Sequence, residues 1–257
     1  MAIAVTRLAT AAVKGTRLHD VDRIELDRHG AHGDRRFFVI DARNRMLNGK
    51  QLGELHTVVV DYDEDARKLA FTFPTGHVVE DHVELGATVT ARFYSRAVQG
   101  RLVRGPWSEA LSELADQPLR LVESATGAVD RGSRGAVSLI SRASLARLAE
   151  VAEESDVDGR RFRMLIEIDG VGAHQEDEWV GRTVRIGAAR LRFVGNVGRC
   201  LVTSRDPETG KLDLPTLDIL GTYRHEIRST EPLPFGIYGE VREEGPVAVG
   251  DLVAPVD

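Results

Sequence analysis

A single cysteine is the most reactive side chain in this sequence. Cys200 is the only cysteine among 257 residues, and it follows a segment, 195–199 (GNVGR), where an apolar run gives way to glycines and an arginine. One thiol cannot form an internal disulfide or a Cys-x-x-Cys redox pair. The remaining roles are nucleophile, persulfide carrier or single ligand to a metal held by a cofactor. The competing interpretation is a small buried hydrophobe, since free cysteine is among the most buried residue types.

Arginines and a serine offer candidate anion-binding groups. The arginines cluster in 131–147 and in 158–163. Ser141 precedes a run with helical spacing and is its natural N-cap, and the amides at a helix start can bind an anion. Simple capping is the competing interpretation of Ser141. For any single arginine, a solvated pair with a nearby acid competes in the same way.

Two histidines have a spacing that resembles a metal site. His29 and His32 lie three residues apart, but no acid or third histidine is arranged locally to complete a site, so we expect a solvated loop. The alternative is that one of the two histidines lines the mouth of the active site. The sequence contains no Gly-x-Ser-x-Gly elbow, P-loop or dinucleotide fingerprint. Their absence disfavours the common acyl-transfer and nucleotide-binding classes.

Composition limits the setting and the partners. With 42% hydrophobic and 29% charged residues, the chain has the make-up of an ordinary globular protein. The net charge of −6 argues against a nucleic-acid partner. The N-terminus lacks the pattern of a secretory signal, and no apolar stretch is long enough to span a bilayer. We therefore expect a cytoplasmic protein with no membrane partner, while the sequence carries no signal for an oligomeric state.

Short strands are expected to dominate the elements that position these residues. Alternating β-branched and aromatic residues, separated by turn residues, predict a small antiparallel sheet or barrel in the first hundred residues, with strands at 36–41, 57–62, 68–73 and 88–94. Residues 99–106 resemble a connector. Helical spacing follows at 108–116 and again after Ser141. Strands are then expected at 165–168, 183–186, 190–194, 238–241 and 251–253, which makes the chain α+β and mostly β.

Several separated motifs together resemble one family. In order, they are 138–145 (SLISRASL), 158–163 (DGRRFR), 176–181 (EDEWVG), 198–200 (GRC), 235–238 (FGIY) and 250–251 (GD). This order and spacing resembles the MOSC domain, named for the C-terminal domain of molybdenum cofactor sulfurases. In the first half, 13–15 (VKG) and 33–37 (GDRRF) resemble the β-barrel domain that precedes MOSC in the amidoxime-reducing group. The resemblance implies an N-terminal β-barrel domain at 1–104 and a barrel-like MOSC domain with a few covering helices at 105–257.

The resemblance also implies a cofactor and its ligands. It indicates the molybdenum cofactor (molybdopterin), with Cys200 as thiolate ligand to the metal, a soft donor suited to a metal already bound by sulfur. Asp177, grouped with Cys200 as catalytic, would accept hydrogen bonds from the pterin or from an arginine. No pyridoxal phosphate is expected. The residues expected to bind the pterin or its phosphate are Lys14, Arg35, Ser138, Ser141, Arg163 and Arg199, with Ser144 as a further donor.

The activity that the resemblance implies is reduction of N-hydroxylated or related N-oxygenated small molecules. An iron–sulfur cluster needs several thiolates and this sequence has one, so electrons would come from a separate ferredoxin or flavoprotein. Two alternatives stay open. Cys200 could serve in a persulfide or cofactor carrier, or the same fold could hold another anionic ligand in a changed pocket.

Two segments depart from the family pattern. The family commonly has Pro-Asn after Arg-Phe-Arg, with the asparagine amide reaching the cofactor, whereas this chain has Met164-Leu165. A leucine side chain offers no donor or acceptor. Residues 46–51 (MLNGKQ) replace a common Thr-x-Arg or Thr-x-Lys pattern, with Lys50 as the candidate substitute.

Overall fold

The computed structural model describes residues 2–94, 96–125, 132–229 and 231–256. These residues form 19 strands, three α-helices and five short 3-10 helices. The strands are β1 (Ala4–Thr10), β2 (His19–Val21), β3 (Arg23–Asp27), β4 (Gly30–Ala31), β5 (Phe37–Asp41), β6 (Met46–Leu47), β7 (Val59–Asp63), β8 (Lys68–Thr72), β9 (Val78–His82), β10 (Glu84–Phe93), β11 (Arg96–Arg104), β12 (Leu119–Ser124), β13 (Val137–Ser141), β14 (Ile166–Asp169), β15 (Thr183–Ile186), β16 (Ala189–Gly198), β17 (Pro234–Glu243), β18 (Gly245–Ala248) and β19 (Val253–Pro255). The helices are α1 (Trp107–Ala115), α2 (Arg142–Ala152) and α3 (Thr216–Tyr223), and the 3-10 helices are Gly53–Thr57, Gly132–Gly135, Gly159–Phe162, Gln175–Trp179 and Leu201–Ser204.

The largest sheet has eight strands in the order β19-β15-β16-β17-β13-β14-β1-β2. Its pairs are antiparallel except that of β13 with β14, which is parallel. Helix α2 lies between these two strands in the sequence. Val5 accepts a hydrogen bond from the Gly250 amide and donates one to the Asp251 carbonyl, at 2.8 and 2.9 Å. These bonds bring the two ends of the sheet together without a continuous ladder. The enclosed core includes Leu8, Ile166, Phe193 and Ile237.

A second layer is built on two further sheets, ordered β10-β11-β12-β5-β6 and β7-β8-β9. Helix α1 lies against this layer, because Trp107 is fully buried and its indole donates to the Leu69 carbonyl at 3.1 Å. Phe37 and Phe71 belong to the same core. A fourth, small sheet pairs β18 with β3 and β3 with β4.

This architecture confirms the expected fold class, a mostly β chain with a few covering helices. No sheet closes completely within the described residues. The expectation of a connector at 99–106 was wrong, because β11 occupies Arg96–Arg104 and pairs with β10 on one side and β12 on the other. Its polar residues leave no apolar alternation, which is why the strand was missed. In the described part of the chain, no helix has the length and apolar character required to cross a membrane.

Strand pairing crosses the predicted domain boundary at 104/105 in both directions. Strand β1 pairs with β14, and β3 pairs with β18, so the first 31 residues contribute strands to sheets of the C-terminal half. In return, β12 pairs with β5 and β11. The division at 104 stays a prediction, and the pairing shows that neither half forms its sheets alone.

Candidate functional site

Backbone hydrogen bonds join two loops that carry cations. The Lys14 amide donates to the Phe37 carbonyl at 2.8 Å, and the Arg35 amide donates to the Ala11 carbonyl at 2.7 Å. Lys14 follows β1, whereas Arg35 immediately precedes the β5 region. Because Ala11 and Lys14 lie in the same loop, these two bonds hold the Lys14 and Arg35 backbones side by side.

Arg163 joins this pair from the C-terminal half of the chain. Its Nη2 donates to the Thr16 carbonyl at 2.7 Å, and its own carbonyl accepts from Arg35 Nη2 at 2.8 Å. The backbone φ angles of Arg35 and Arg163 are 48° and 54°. Left-handed backbone is uncommon for a residue with a Cβ and often marks a functional site. The three cations, which lie up to 149 positions apart in the sequence, therefore meet in one cluster.

The cluster carries more positive than negative charge. Burial lowers the pKa of Lys14 to about 7, with Arg35 and Arg163 acting in the same direction. Burial and Arg35 likewise lower the pKa of Arg163 to about 9. Asp34 is the carboxylate that opposes both shifts, and its Oδ2 accepts from Arg35 Nη1. Like charges in a poorly solvated place repel each other, so an incoming anion would relieve the repulsion.

Cys200 lies at the edge of this cluster and is exposed. A negative charge on the Cys200 thiolate would raise the pKa of Lys14, so the thiol and the lysine lie within electrostatic reach of each other. Cys200 precedes the 3-10 helix Leu201–Ser204, and the amide and hydroxyl of Thr203 both donate to the Cys200 carbonyl at 3.0 Å. The backbone at the cysteine is therefore fixed while its thiol stays accessible.

Arg199 is buried and anchors the turn before the thiol. Its Nε donates to the Phe235 carbonyl at 2.8 Å and its Nη1 to the Phe162 carbonyl at 3.0 Å. Its Nη2 lies 3.1 Å from the Met164 sulfur, and the guanidinium sits over the Phe162 ring at 5.1 Å. The expectation that Arg199 contacts the cofactor stays a prediction. The contacts described here tie it to the segment that ends in Arg163.

Gly236 gives Arg199 room to reach that segment. Its φ is 77°, and a Cβ at this position would lie 2.8 Å from Met164 Cε and 2.9 Å from the Leu139 carbonyl oxygen. The same atom would approach Arg199 Nη2 to 3.3 Å. A side chain at 236 would therefore displace the residues that support the Cys200 turn.

A buried carboxylate occupies the start of α2. Glu176 accepts from the hydroxyls of Ser141 and Ser144 at 2.8 and 2.7 Å and from the Ser141 amide at 3.1 Å. The Ser141 hydroxyl also accepts from the Ser144 amide at 3.1 Å, as an N-cap does. Burial raises the pKa of Glu176. Contact of Ser141 or Ser144 with a phosphate stays a prediction, because an internal carboxylate already uses these donors.

Asp177 is paired with an arginine that sequence reasoning missed. Arg224 Nη2 donates to Asp177 Oδ2 at 2.6 Å, and Asn196 Nδ2 donates to Asp177 Oδ1 at 2.8 Å. Burial raises the pKa of Asp177, although these two hydrogen bonds act to lower it. Arg224 is 3% exposed and also donates from Nε to the Pro234 carbonyl at 2.9 Å. The catalytic role of Asp177 stays a prediction, and its contacts with Arg224 and Asn196 are structural.

The segment after Arg163 turns its side chains inward. Leu165 is 2% exposed and belongs to the core of the large sheet. Its amide donates to Ser138 Oγ at 3.0 Å, so the Ser138 hydroxyl orders this backbone. The side chain of Lys50, the candidate substitute in the 46–51 segment, is exposed.

His56 is a further residue of the site that sequence reasoning missed. It is 2% exposed, and burial together with Arg163 lowers its pKa to about 4. The Asp206 backbone lies close enough to raise that pKa, yet neither ring nitrogen makes a hydrogen bond of normal geometry with the described residues. Its ring fills the space that a Cβ at Gly49 would need. His56 precedes the apolar run that begins at Val58 and belongs to no motif, so the sequence gave no signal for it.

The donor set fits an anionic cofactor that carries a soft metal. Three cations in a desolvated cluster suit a phosphate dianion, and arginine in particular meets phosphate oxygens in pairs. An accessible thiol beside them suits a metal already bound by sulfur. The described residues contain no group of three or more histidine, cysteine or carboxylate side chains that could hold a metal ion by themselves. Any metal here would have to arrive with its own ligands.

Known proteins match this chain over different lengths. A relative named mitochondrial amidoxime-reducing component 1, from Danio rerio, is 28% identical over 97% of this chain and 83% of its own length. A Xenopus laevis relative of the same name is 37% identical over 39% of this chain and 30% of its own length. Human mitochondrial amidoxime reducing component 2 is 37% identical over 36% of this chain. The matched segment spans only 29% of that human relative.

The crystal structure of the YuaD protein from Bacillus subtilis shares the fold. It covers 98% of this chain with a TM-score of 0.52, at 14% sequence identity. The family model described as the MOSC domain matches residues 126–254. This range contains Arg163 and Cys200 and slightly more than half of the chain. The chain therefore belongs to the MOSC domain family.

Proposed function

We propose that this chain binds a molybdenum cofactor and reduces N-hydroxylated or related N-oxygenated small molecules. The observation that carries the proposal is the meeting of Lys14, Arg35 and Arg163 beside the exposed Cys200. Family membership and the names of the animal relatives support the same chemistry.

Each residue of the cluster has a proposed part in holding the cofactor. Lys14, Arg35 and Arg163 would bind the phosphate and the polar edge of the pterin, and Cys200 would be the thiolate ligand of molybdenum. When bound, the cofactor supplies the two-electron redox chemistry that removes an oxygen atom from nitrogen. Metal coordination would keep the Cys200 sulfur deprotonated.

The residues of this chain would orient the thiol, while the reduction itself requires protons and electrons. Arg199 fixes the backbone before Cys200, so the thiol is presented at one place. Reduction of an N–OH group to N–H consumes two electrons and two protons and releases water. Burial and the neighbouring arginines lower the pKa of Lys14 to about 7, so an anion that neutralises the cluster would favour the protonated, cationic form of this lysine. The electrons would come from a separate ferredoxin or flavoprotein, because the chain has one cysteine.

The exposure of Cys200 favours one second candidate, a carrier of sulfane sulfur or of the cofactor. An accessible thiol beside cations is suited to persulfide transfer. An anionic ligand without metal would also use the three cations. The cytoplasmic location stays a prediction from the N-terminal sequence, since the animal relatives are named as mitochondrial proteins.

Reduction of benzamidoxime by a chemical electron donor tests the proposal without the natural partner. Protein from a host that makes the cofactor should reduce the substrate, and Cys200→Ala should abolish the reaction. Arg163→Ala should lower cofactor content, whereas Arg160→Ala is the matched control, because Arg160 is bound by Asp158 and Glu208 outside the cluster. Sulfane sulfur on Cys200 without metal or reduction would instead establish the carrier.

A further inference from the structure

A strap, residues 205–213, directly follows the 3-10 helix Leu201–Ser204. Its turn is closed by the Gly210 amide, which donates to the Asp206 carbonyl at 2.9 Å. Asp206 Oδ1 also accepts from the amide and the hydroxyl of Thr209, at 2.7 and 2.8 Å. The strap is therefore braced by its own hydrogen bonds between its base and its tip.

The base of the strap is bonded to the segment that carries the thiol. The Ser204 carbonyl accepts from the Asp213 amide at 3.1 Å, so the end of the helix and the end of the strap are joined. Thr203, in the same helix, donates from its amide and its hydroxyl to the Cys200 carbonyl, both at 3.0 Å. Cys200, the helix and the strap thus form one hydrogen-bonded unit.

The tip of the strap rests on the N-terminal half of the chain through two glycines. Gly210 has a φ of 69°, and a Cβ there would overlap the Gly53 carbonyl oxygen. A Cβ at Gly53 would lie 2.5 Å from the Gly210 carbonyl oxygen and would overlap the Arg205 guanidinium. That guanidinium donates to the Gly210 carbonyl at 2.6 Å. Because the two backbones touch, a side chain at either glycine would push them apart.

The strap also contacts residues that surround Arg163. The Glu208 carbonyl accepts from Arg17 Nη2 at 2.9 Å, and the carbonyl of the preceding residue, Thr16, binds Arg163. Burial lowers the pKa of His56 and Arg163 acts in the same direction, whereas the strap backbone opposes them, so His56 is near both. The strap therefore reaches from the thiol segment to the residues that hold the cations.

The ion pair at the side of the strap is exposed. Glu208 and Arg160 are 3.0 Å apart, with side chains that are 54% and 31% exposed. Exposed ion pairs contribute little, so we expect Arg160→Ala to leave the strap in place. The contact between Gly53 and Gly210 is the one that fixes the tip.

We propose that the strap is a positioning element that holds Cys200 beside the cations, and that the contact between Gly53 and Gly210 fixes this position. The inference deepens the proposed function and rests on it, because it names the element that orients the proposed thiolate ligand. Without the glycine contact, the unit of Cys200, helix and strap would shift away from the N-terminal half. The thiol would then lie farther from Lys14.

The charge selectivity of Cys200 alkylation measures this position. The full chain, produced in a host that makes no molybdenum cofactor, is treated with iodoacetate and with iodoacetamide. Both reagents form a bond from the thiolate sulfur to carbon and release iodide, and they differ in charge. Cations beside the thiol raise the rate with the anionic reagent, so the ratio of the two rates reports how near the cations are. The fraction of the thiol that is ionised cancels in this ratio.

Separating the two backbones should lower the ratio. Gly210→Ala and Gly53→Ala should each lower it by about threefold or more, and Thr209→Ala, at an exposed position where no core packing is lost, by about twofold. Gly76→Ala is the matched control for Gly210, because its φ is 83° and a Cβ there meets nothing within 4 Å. Gly172→Ala is the control for Gly53, because a Cβ there makes only an ordinary contact at 3.7 Å. Both controls should keep the wild-type ratio, and urea denaturation establishes that each variant is folded.

The outcomes separate this inference from the proposed function. An unchanged ratio in the folded strap variants overturns the inference, even where benzamidoxime is reduced. Equal acceleration of both reagents shows that the strap only covers the thiol, and it overturns the inference as well. The predicted fall in the ratio, in a chain that takes up no molybdenum from a host that makes the cofactor, retains the role of the strap and refutes the proposed function.

Discussion

Arg199 and Arg224 bind neighbouring carbonyl groups of one strand. Arg199 Nε donates to the Phe235 carbonyl at 2.8 Å, and Arg224 Nε donates to the Pro234 carbonyl at 2.9 Å. Arg199 immediately precedes Cys200, whereas Arg224 is paired with Asp177. The start of β17 therefore links the Asp177–Arg224 pair to the turn that presents the thiol.

Removing the Arg199 guanidinium should cost stability. In Arg199→Met, the buried Phe235 and Phe162 carbonyls lose charged donors, and we expect the free energy of unfolding to fall by about 2–4 kcal/mol. Urea denaturation measures this change. Arg190→Met is the control, because Arg190 is exposed on β16 and pairs with Glu243, and it should change stability by less than about 1 kcal/mol. Equal effects of the two substitutions would refute the anchoring role.

Asp177 and Arg224 should act as a coupled pair. Asp177→Ala leaves the 3%-exposed Arg224 charge without its carboxylate, so we expect a loss of about 3 kcal/mol. A double-mutant cycle with Arg224→Ala should show a coupling energy of about 1–3 kcal/mol in urea denaturation. Additive losses would contradict the pairing. If Asp177→Asn keeps full stability yet changes the pH profile of reduction, Asp177 acts on the reaction directly, as the sequence predicted.

Histidine burial should make stability depend on pH. The folded-state pKa of His56 is lowered from 6.5 to about 4, so the unfolded chain binds the proton more tightly. Stability is therefore expected to fall as pH drops from about 6.5 to 4, by about 3 kcal/mol at most from His56. His174, whose pKa is also lowered to about 4, acts in the same direction. Urea denaturation across this range should show a shallower pH dependence for His56→Gln, but not for the exposed-site control His77→Gln.

Ser141 should affect folding more than cofactor content. Ser141→Ala removes the N-cap acceptor of α2 and a donor to buried Glu176, for an expected loss of about 1–3 kcal/mol. The exposed Ser133→Ala control should change little. Thermal or urea denaturation gives the stability, and metal analysis of the folded protein gives the content. A large loss of molybdenum without loss of stability would show that Ser141 contacts the cofactor instead.

Strongly patterned elements were predictable from the sequence. Strand β15 occupies Thr183–Ile186 as expected, and α2 begins directly after Ser141. Strand β11 and helix α3 were missed. Strand β11 is polar and can be recognised only from its pairing with β10 and β12. Helix α3 has only eight residues and no capping side chain. Local propensity does not report such tertiary effects.

The candidate site was predictable as a set of motifs but not as a set of contacts. Motif order brought Lys14, Arg35, Arg163 and Cys200 into one hypothesis, and the structure brings them together. The hydrogen bond from the Ser141 hydroxyl to Glu176 could not be predicted, because the two residues lie 35 positions apart and only folding joins them. His56 stayed hidden because its burial arises from packing against the Asn48–Lys50 turn.

Molybdenum content of the purified chain tests the central claim most directly. Protein made in a host that synthesises the cofactor should contain stoichiometric molybdenum and pterin by elemental and fluorescence analysis. Arg163→Ala should lose most of both, and Arg160→Ala should keep them. A folded wild-type protein without molybdenum from that host, or full occupancy in Arg163→Ala, would contradict the account.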